Sequence, residues 1–231
     1  MAEQKAKSYL SISAHRVLEI SAIVIVLTVL ACSGWRLGRA LLDGGPILLV
    51  LAAMLLGYMM ADFASGAVHW LADRYGTPET PVLGPNFIRP FRDHHVYPDA
   101  LAGHSFIETN GNNSIASLPF MALFWPLLHA EGDDGWPIMG LAMGFAFFSG
   151  MFITNQIHKW AHMKTPPIFV RWLQRFRLIL SPDHHRKHHT PPFNSHYTIT
   201  TGWLNAPLKT LRIFEIVEWL LRHVIGLKAG E

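Results

Sequence analysis

Four stretches of this chain are mainly apolar over lengths that suit a membrane: about Val17 to Trp35, Pro46 to Leu71, Ile115 to His129 and Pro137 to Ile157. A bilayer core is crossed by about 20 such residues in a helix. The third stretch is short and carries Pro119 and Pro126, which predict a tilted, kinked or re-entrant segment. Gly140, Gly144 and Gly150 in the fourth predict close helix packing. Further on, Arg171, Arg175 and Arg177 alternate with Trp172, Leu173, Phe176 and Leu178, the pattern of an amphipathic helix lying in the interface. The pattern predicts an all-α integral membrane protein with about four transmembrane helices. Residues 1–16 form an N-terminal segment, 17–231 a single membrane domain, and 158–231 its tail. The first apolar run lacks a small-residue cleavage site and is expected to remain as an anchor.

Composition supports this class. Half of the 231 residues are hydrophobic and 15% are charged, against about 25% charged in ordinary globular chains. With four spans both termini share one side. Seventeen of the nineteen lysines and arginines fall on that side and only Arg36 and Arg39 on the other. The positive-inside rule then predicts N-in and C-in, with the acidic loop Glu131 to Gly135 outside. A bacterial inner membrane is the expected location and the endoplasmic reticulum the alternative. The net charge of +3 is explained by orientation and lipid contact, and no nucleic-acid motif is present. Cys32 is the only cysteine, which excludes a disulfide framework and a cysteine-built metal site.

The fourteen histidines change the picture most. His69 and Asp73 stand at i, i+4 near the end of the second span, and His158 and His162 at i, i+4 at the end of the fourth. Helical periodicity puts each pair on one face. His94, His95 and His104 lie in the loop after the second span, and "HHRKHH" (His184, His185, His188, His189) lies in the tail. The predicted topology brings all four groups to the cytoplasmic face. Singly, each has a plainer reading: a helix-end hydrogen bond for His69 and Asp73, snorkelling for His158 and His162, a loop cap for His104. His15, His129 and His223 fit no group. Ten grouped histidines plus Asp73 exceed the three or four ligands of one zinc and predict a two-metal site. Imidazole with carboxylate suits iron, and zinc has no redox chemistry.

The ordered motifs "GAVHWLAD", "FRDHHVYP", "HSFIETNGNN", "NQIHKWAH", "HHRKHH" and "TTGWLN", between Asp62 and Asn205, resemble the membrane lipid desaturases, a family that includes plasmalogen-forming plasmanylethanolamine desaturases and plant phosphatidylglycerol desaturases. The resemblance implies a di-iron oxidase of lipid chains that uses dioxygen. It implies metal ligation by His69, Asp73, His94, His95, His104, His158, His162, His184, His185, His188 and His189, with the choice between His184 and His185 open. Glu108, Asn110 and His196 are expected to support the ligands. The tail favours the plasmanyl branch: removal of two hydrogens from carbons 1 and 2 of the sn-1 O-alkyl chain of an ethanolamine ether phospholipid. No flavin, haem or nicotinamide motif is present, so electrons are expected from cytochrome b5, or from a ferredoxin with its reductase. Phe63, Trp70, Phe87, Phe106, Phe148 and Trp160 are candidates to wall an alkyl slot, and Arg89, Arg92 and Lys159 to hold a lipid phosphate. The competing readings are an acyl-chain desaturase or hydroxylase of another phospholipid, a zinc-dependent membrane lipid hydrolase, a transmembrane haem protein, and a metal transporter or sensor.

Overall fold

The structure is a computed structural model describing residues 2–129, 132 and 135–230, with side chains described from residue 14 onward except Asn86. Every regular element among these residues is helical. In chain order they are α1 (Ala2–Leu42), α2 (Ile47–Arg74), a π-helical turn (Gly84–Ile88), α3 (Arg89–Val96), α4 (Pro98–Ala102) and α5 (Phe106–Leu123). There follow α6 (Trp125–Leu128), α7 (Gly135–His162), α8 (Ile168–Arg175), α9 (Pro182–His185), α10 (Asn205–Thr210), α11 (Ile213–Leu220) and a second π-helical turn (Leu221–Ile225). Three of them, within Ala14–Leu42, Ile47–Arg74 and Gly135–His162, are long and apolar enough to cross a membrane.

The helices differ from the expected spans in two ways. α1, α2 and α7 outrun their apolar cores, ending at Leu42, Arg74 and His162 instead of near 35, 71 and 157. In α2 and α7 the added turns are polar, and they stay helical because their side chains have partners described below. The segment 115–129 is not one helix. α5 begins earlier, at a capping box in which Ser105 N–H donates to Glu108 Oε2 (2.7 Å) and Glu108 N–H donates to Ser105 Oγ (3.4 Å). It continues through Pro119 and stops at Phe124, where Pro126 opens α6. Pro126 has no N–H to continue the α5 ladder and is tolerated in the first turn of a new helix, which separates α6 from α5 at Phe124. Most of the loop expected outside, Glu131 to Gly135, lies outside the described residues.

The chain divides into two compact units, Met1–Tyr58 with Ser105–Ile153, and Met59–His104 with Thr154–Glu231. The first holds two apolar clusters. One joins Leu37, Ala40, Val50, Ala53, Ile138, Leu141 and Ala142; the other gathers Ile23, Val26, Met121, Leu128, Phe148 and Phe152. Close approach is written into it by glycine. A Cβ on Gly57 would stand 2.1 Å from the Met143 carbonyl oxygen, and Gly140 and Gly144 receive Leu127 and Leu128.

The second unit is organised by a polar stripe on α2. Asp62, Gly66, His69 and Asp73 follow at intervals of four, three and four, which is one helix face. Asp62 is fully buried. Its Oδ1 accepts from the backbone N–H of Thr201 (2.7 Å) and Gly202 (3.0 Å), and its Oδ2 from Leu204 N–H (3.1 Å). One turn on, Ser65 Oγ accepts from Ile199 N–H (3.1 Å). A Cβ on Gly66 would meet Thr198 at 2.5 Å. From the facing helix, Thr154 and Thr200 share a hydroxyl hydrogen bond of 2.6 Å. Extended backbone has few internal partners, so a strap over residues 194–204 must find its bonds elsewhere; side chains of α2 supply several of them. Asn205 closes the far end, accepting from Thr198 N–H and donating to the Thr198 carbonyl.

Replacing Asp62 with Ala strands three backbone donors and is expected to cost about 3 kcal/mol or more. Asp62→Asn, which keeps an acceptor oxygen, loses less. Thermal unfolding of the detergent-purified variants reads both. An Asp62→Ala midpoint equal to that of the parent would show that the strap is held by other contacts.

Candidate metal centre

All the side chains that converge at the centre belong to the second unit. α2 contributes His69 and Asp73, α3 contributes His94 and His95, α7 contributes His158 and His162, and the segment from α9 contributes His185, His188 and His189. α3 is short and carries Pro90 in its first turn, where its fixed φ suits the helix. Two adjacent histidines at its end reach the same centre. The chain returns after α9 in a helical turn, with His188 and His189 N–H both bonded to the His185 carbonyl.

Two groups of nitrogen donors result, in each of which the donor atoms lie within 4.8 Å of one another: His94, His158, His162, His185 and His189, and His69, His94, His95 and His188. His94 belongs to both. The rings are largely dry, with His69 and His188 fully buried and His94, His158 and His185 at most 5% exposed.

Hydrogen bonds fix two tautomers. A carbonyl only accepts, so Nδ1 of His69 donates to the Tyr197 carbonyl (3.1 Å) and Nδ1 of His188 donates to the Ser195 carbonyl (2.9 Å). A neutral imidazole that donates from Nδ1 carries its lone pair on Nε2. Both Nε2 atoms face Asp73, whose Oδ2 lies 3.4 Å from each, while Oδ1 is 3.2 Å from His95 Nε2. Lone pairs aimed at a carboxylate call for a cation between them.

The five-histidine group makes the same demand. The Nε2 atoms of His158, His162 and His185 form a triangle with sides of 2.8, 2.9 and 3.2 Å, and His189 Nε2 is 3.0 Å from His185 Nε2. A neutral Nε2 is either a donor or an acceptor, so three in a triangle cannot satisfy one another. Nitrogens bound to one metal at about 2.1 Å stand about 3.0 Å apart at right angles and about 3.4 Å apart at the tetrahedral angle. The triangle is nearer the first value. The buried Nε2 atoms of His69 and His94 have no hydrogen-bond partner, each an uncompensated cost of about 1–3 kcal/mol without an ion. The residues therefore fit a metal centre.

Electrostatics keeps the loop ligands ready. Burial first, and then neighbouring histidines, hold His94 and His185 well below the ordinary imidazole range, and the same causes lower His189 to about 3. They are neutral at physiological pH, as metal ligation requires.

Other expected site residues go elsewhere. His184 turns from the centre: its Nε2 accepts from Asn205 Nδ2 (3.1 Å), and its ring lies 5.6 Å from that of His196. Between the adjacent pair, His185 is therefore the one that joins the histidine cluster. His104 is exposed, and its carbonyl accepts from Lys159 Nζ. Arg92 is spent on the Ala72 and Gly76 carbonyls. Glu108 caps α5 and pairs with Arg16 (3.5 Å), and Asn110 donates to the Phe106 carbonyl, both in the first unit. His15, His129 and His223 bond to Glu19, Trp125 and Trp219 in turn. Sequence reasoning missed Asp62, and it missed the carbonyls of Ser195 and Tyr197 that orient two ligands. Asp62 carried a legible sign, an ionisable residue inside an apolar span; the carbonyls carried none.

His188→Ala is expected to lose at least one bound metal per chain by elemental analysis, whereas His104→Ala and His184→Ala keep the parental content. A His188→Ala protein with full metal content would remove it from the ligand set. In metal-free protein the unfolded chain takes up protons below about pH 6.5, while His94, His185 and His189 stay neutral in the fold. Stability is therefore expected to fall as the pH drops from about 6.5 toward 3. Unfolding midpoints across that range that do not move would contradict it.

A lipid desaturase domain matches residues 58–231. A plasmanylethanolamine desaturase of Myxococcus xanthus is 46% identical over 216 residues, covering 93% of this chain and 74% of the relative. Plasmanylethanolamine desaturase 1 of Mus musculus is 39% identical over 184 residues, covering 78% and 68%. The chloroplastic fatty acid desaturase 4 of Arabidopsis thaliana is 34% identical over 176 residues, covering 74% and 51%. No solved structure matches. The histidine-bearing unit falls within the matched domain, and on that match and these identities the chain belongs to the lipid desaturase family.

Proposed function

We propose that this lipid desaturase converts the sn-1 O-alkyl chain of an ethanolamine ether phospholipid to the cis vinyl ether of a plasmalogen. Two hydrogens leave carbons 1 and 2. With dioxygen, two electrons and two protons taken up, the products are the vinyl ether and two waters. The observation that carries the reading is the pair of imidazole groups sharing His94, in a chain 46% and 39% identical to proteins named for this substrate.

The ligand set suits two irons. Five nitrogens in one group exceed the four ligands of structural zinc, and the near-right-angle spacing of His158, His162 and His185 favours a coordination number above four. Iron supplies the oxidising power that cleavage of an unactivated C–H bond needs and that side chains lack. The protein's own residues do the rest. His69 and His188 are held in the ligating tautomer by backbone carbonyls, an arrangement that orients imidazoles on metals. Asp73 brings the negative charge that offsets the cations. The burial of His69, His94, His158, His185 and His188 keeps bulk water from the oxidant, which suppresses side reactions.

Electrons come from an external carrier, cytochrome b5 or a ferredoxin with its reductase. The chain lies in the membrane N-in and C-in, with α1, α2 and α7 spanning and the α5–α6 segment supplying the fourth passage; the ligands then face the cytoplasm of a bacterium or, alternatively, of a cell with endoplasmic reticulum. A second reading, desaturation of an acyl chain, is favoured by the 34% identity to a plant protein named a fatty acid desaturase.

The test is lipid mass spectrometry, with acid lability as a check, on plasmalogen-deficient cells fed an alkyl ether precursor and expressing this chain or His188→Ala. Vinyl-ether lipid is expected from the parent alone, with about two irons per purified chain, as the ligand number suggests. New acyl double bonds without vinyl ethers would move the reading to the second substrate; zinc in place of iron would point to a hydrolase.

A further inference from the structure

A cavity of about 290 Å³ lies in the second unit beside the histidines. Its apolar wall is Trp70, Tyr197, Phe214 and Trp219. The Trp70 and Phe214 rings stack at 5.3 Å, and Tyr197 meets Phe214 edge-on at 5.2 Å. Charges of both signs complete the lining, Glu215 and Arg222 among them. They stand seven residues apart, two turns along the same helical stretch, which puts them on one side of it. A second pair, Arg74 and Glu218, is closed on itself by bonds of 2.8 and 3.3 Å. Among the described residues, Glu215 and Arg222 make no ion pair.

Aromatic faces with a carboxylate form a receptor for an alkylammonium, by cation–π attraction and a charge-assisted hydrogen bond. A guanidinium beside them is suited to phosphate. A ligand answering both carries a cation and an anion in one polar group. The cavity shares a wall with the metal centre: the Tyr197 carbonyl orients His69, and its ring lies 5.3 Å from that of His188. A molecule anchored there is one side chain away from the ligands.

We propose that this cavity binds the phosphoethanolamine head group of the lipid substrate, with the ammonium on Glu215 and the Trp70 and Trp219 rings and the phosphate on Arg222. This assignment rests on the reading of the chain as a phospholipid desaturase. Head-group preference would then be set by Glu215, a residue remote from the metal ligands in sequence and exposed at the cavity mouth.

The probe is sn-glycero-3-phosphoethanolamine, titrated into the full-length detergent-purified protein and followed by ligand-observed NMR, with sn-glycero-3-phosphoglycerol as the amine-free control. Saturable binding that favours the ethanolamine compound is expected. Glu215→Gln and Trp219→Ala should each weaken it about 10-fold, in keeping with the loss of a charged or cation–π contact. Glu215→Gln should leave the glycerol compound unaffected, and Arg222→Gln should weaken both. Equal binding of the two compounds, or no change in Glu215→Gln, overturns the assignment. In expressing cells, vinyl-ether lipid with the same head-group distribution for parent and Glu215→Gln overturns it while leaving the desaturase reading intact. Selective binding by a protein that oxidises no lipid supports the cavity and defeats that reading instead.

Discussion

Eight imidazoles whose nitrogens converge in a largely buried interior set the terms for this protein. They cannot all satisfy one another, because three Nε2 atoms in a triangle cannot alternate donor and acceptor, and burial opposes charging them. A cation is what makes the convergence favourable. Asp73 adds to the requirement, since its carboxylate faces two nitrogens that present lone pairs. The core of the second unit is thus built around imidazoles that could hold metal more than around hydrocarbon, and its small aromatic cluster of Trp70, Tyr75 and Tyr197 lies to one side.

Holding such a centre takes rigid support, and α2 provides it through one stripe of residues. Asp62, Ser65 and Gly66 bind the strap at 198–204, and the same strap delivers the Tyr197 carbonyl to His69 three residues further along the helix. The helix face that recruits the strap is therefore the face that carries the first ligand. An error in the strap's register would displace Tyr197 from His69 and Ser195 from His188 together, so ligand orientation and tertiary docking are a single event.

Much of this was legible in the chain. The i, i+4 pairs at the ends of two apolar runs and the paired histidines elsewhere pointed to one centre, because helical periodicity is local and the apolar runs mark where the helices end. The capping box at Ser105 and Glu108 is equally local, and it starts α5 ahead of the apolar stretch at 115–129. What could not be read depends on distant partners. His184 and His185 are neighbours of the same type, and only the contact with Asn205, twenty-one residues on, turns one of them away. Glu108 is expected from the resemblance to support the ligands, but its carboxylate caps the start of α5. Asp62 differs from Asp73 only in what faces it, three backbone donors in one case and three imidazoles in the other.

The bond from His69 to the Tyr197 carbonyl joins residues 128 apart, and that separation bears on biosynthesis. During translation the α2 and α3 histidines emerge long before the segment that orients them. Until residue 205 has left the ribosome, neither the strap nor its Asn205 clasp exists, and the early histidines have no fixed tautomer and no complete ligand set. Completion of the site therefore waits for the segment up to Asn205, and its later-made part closes over the first.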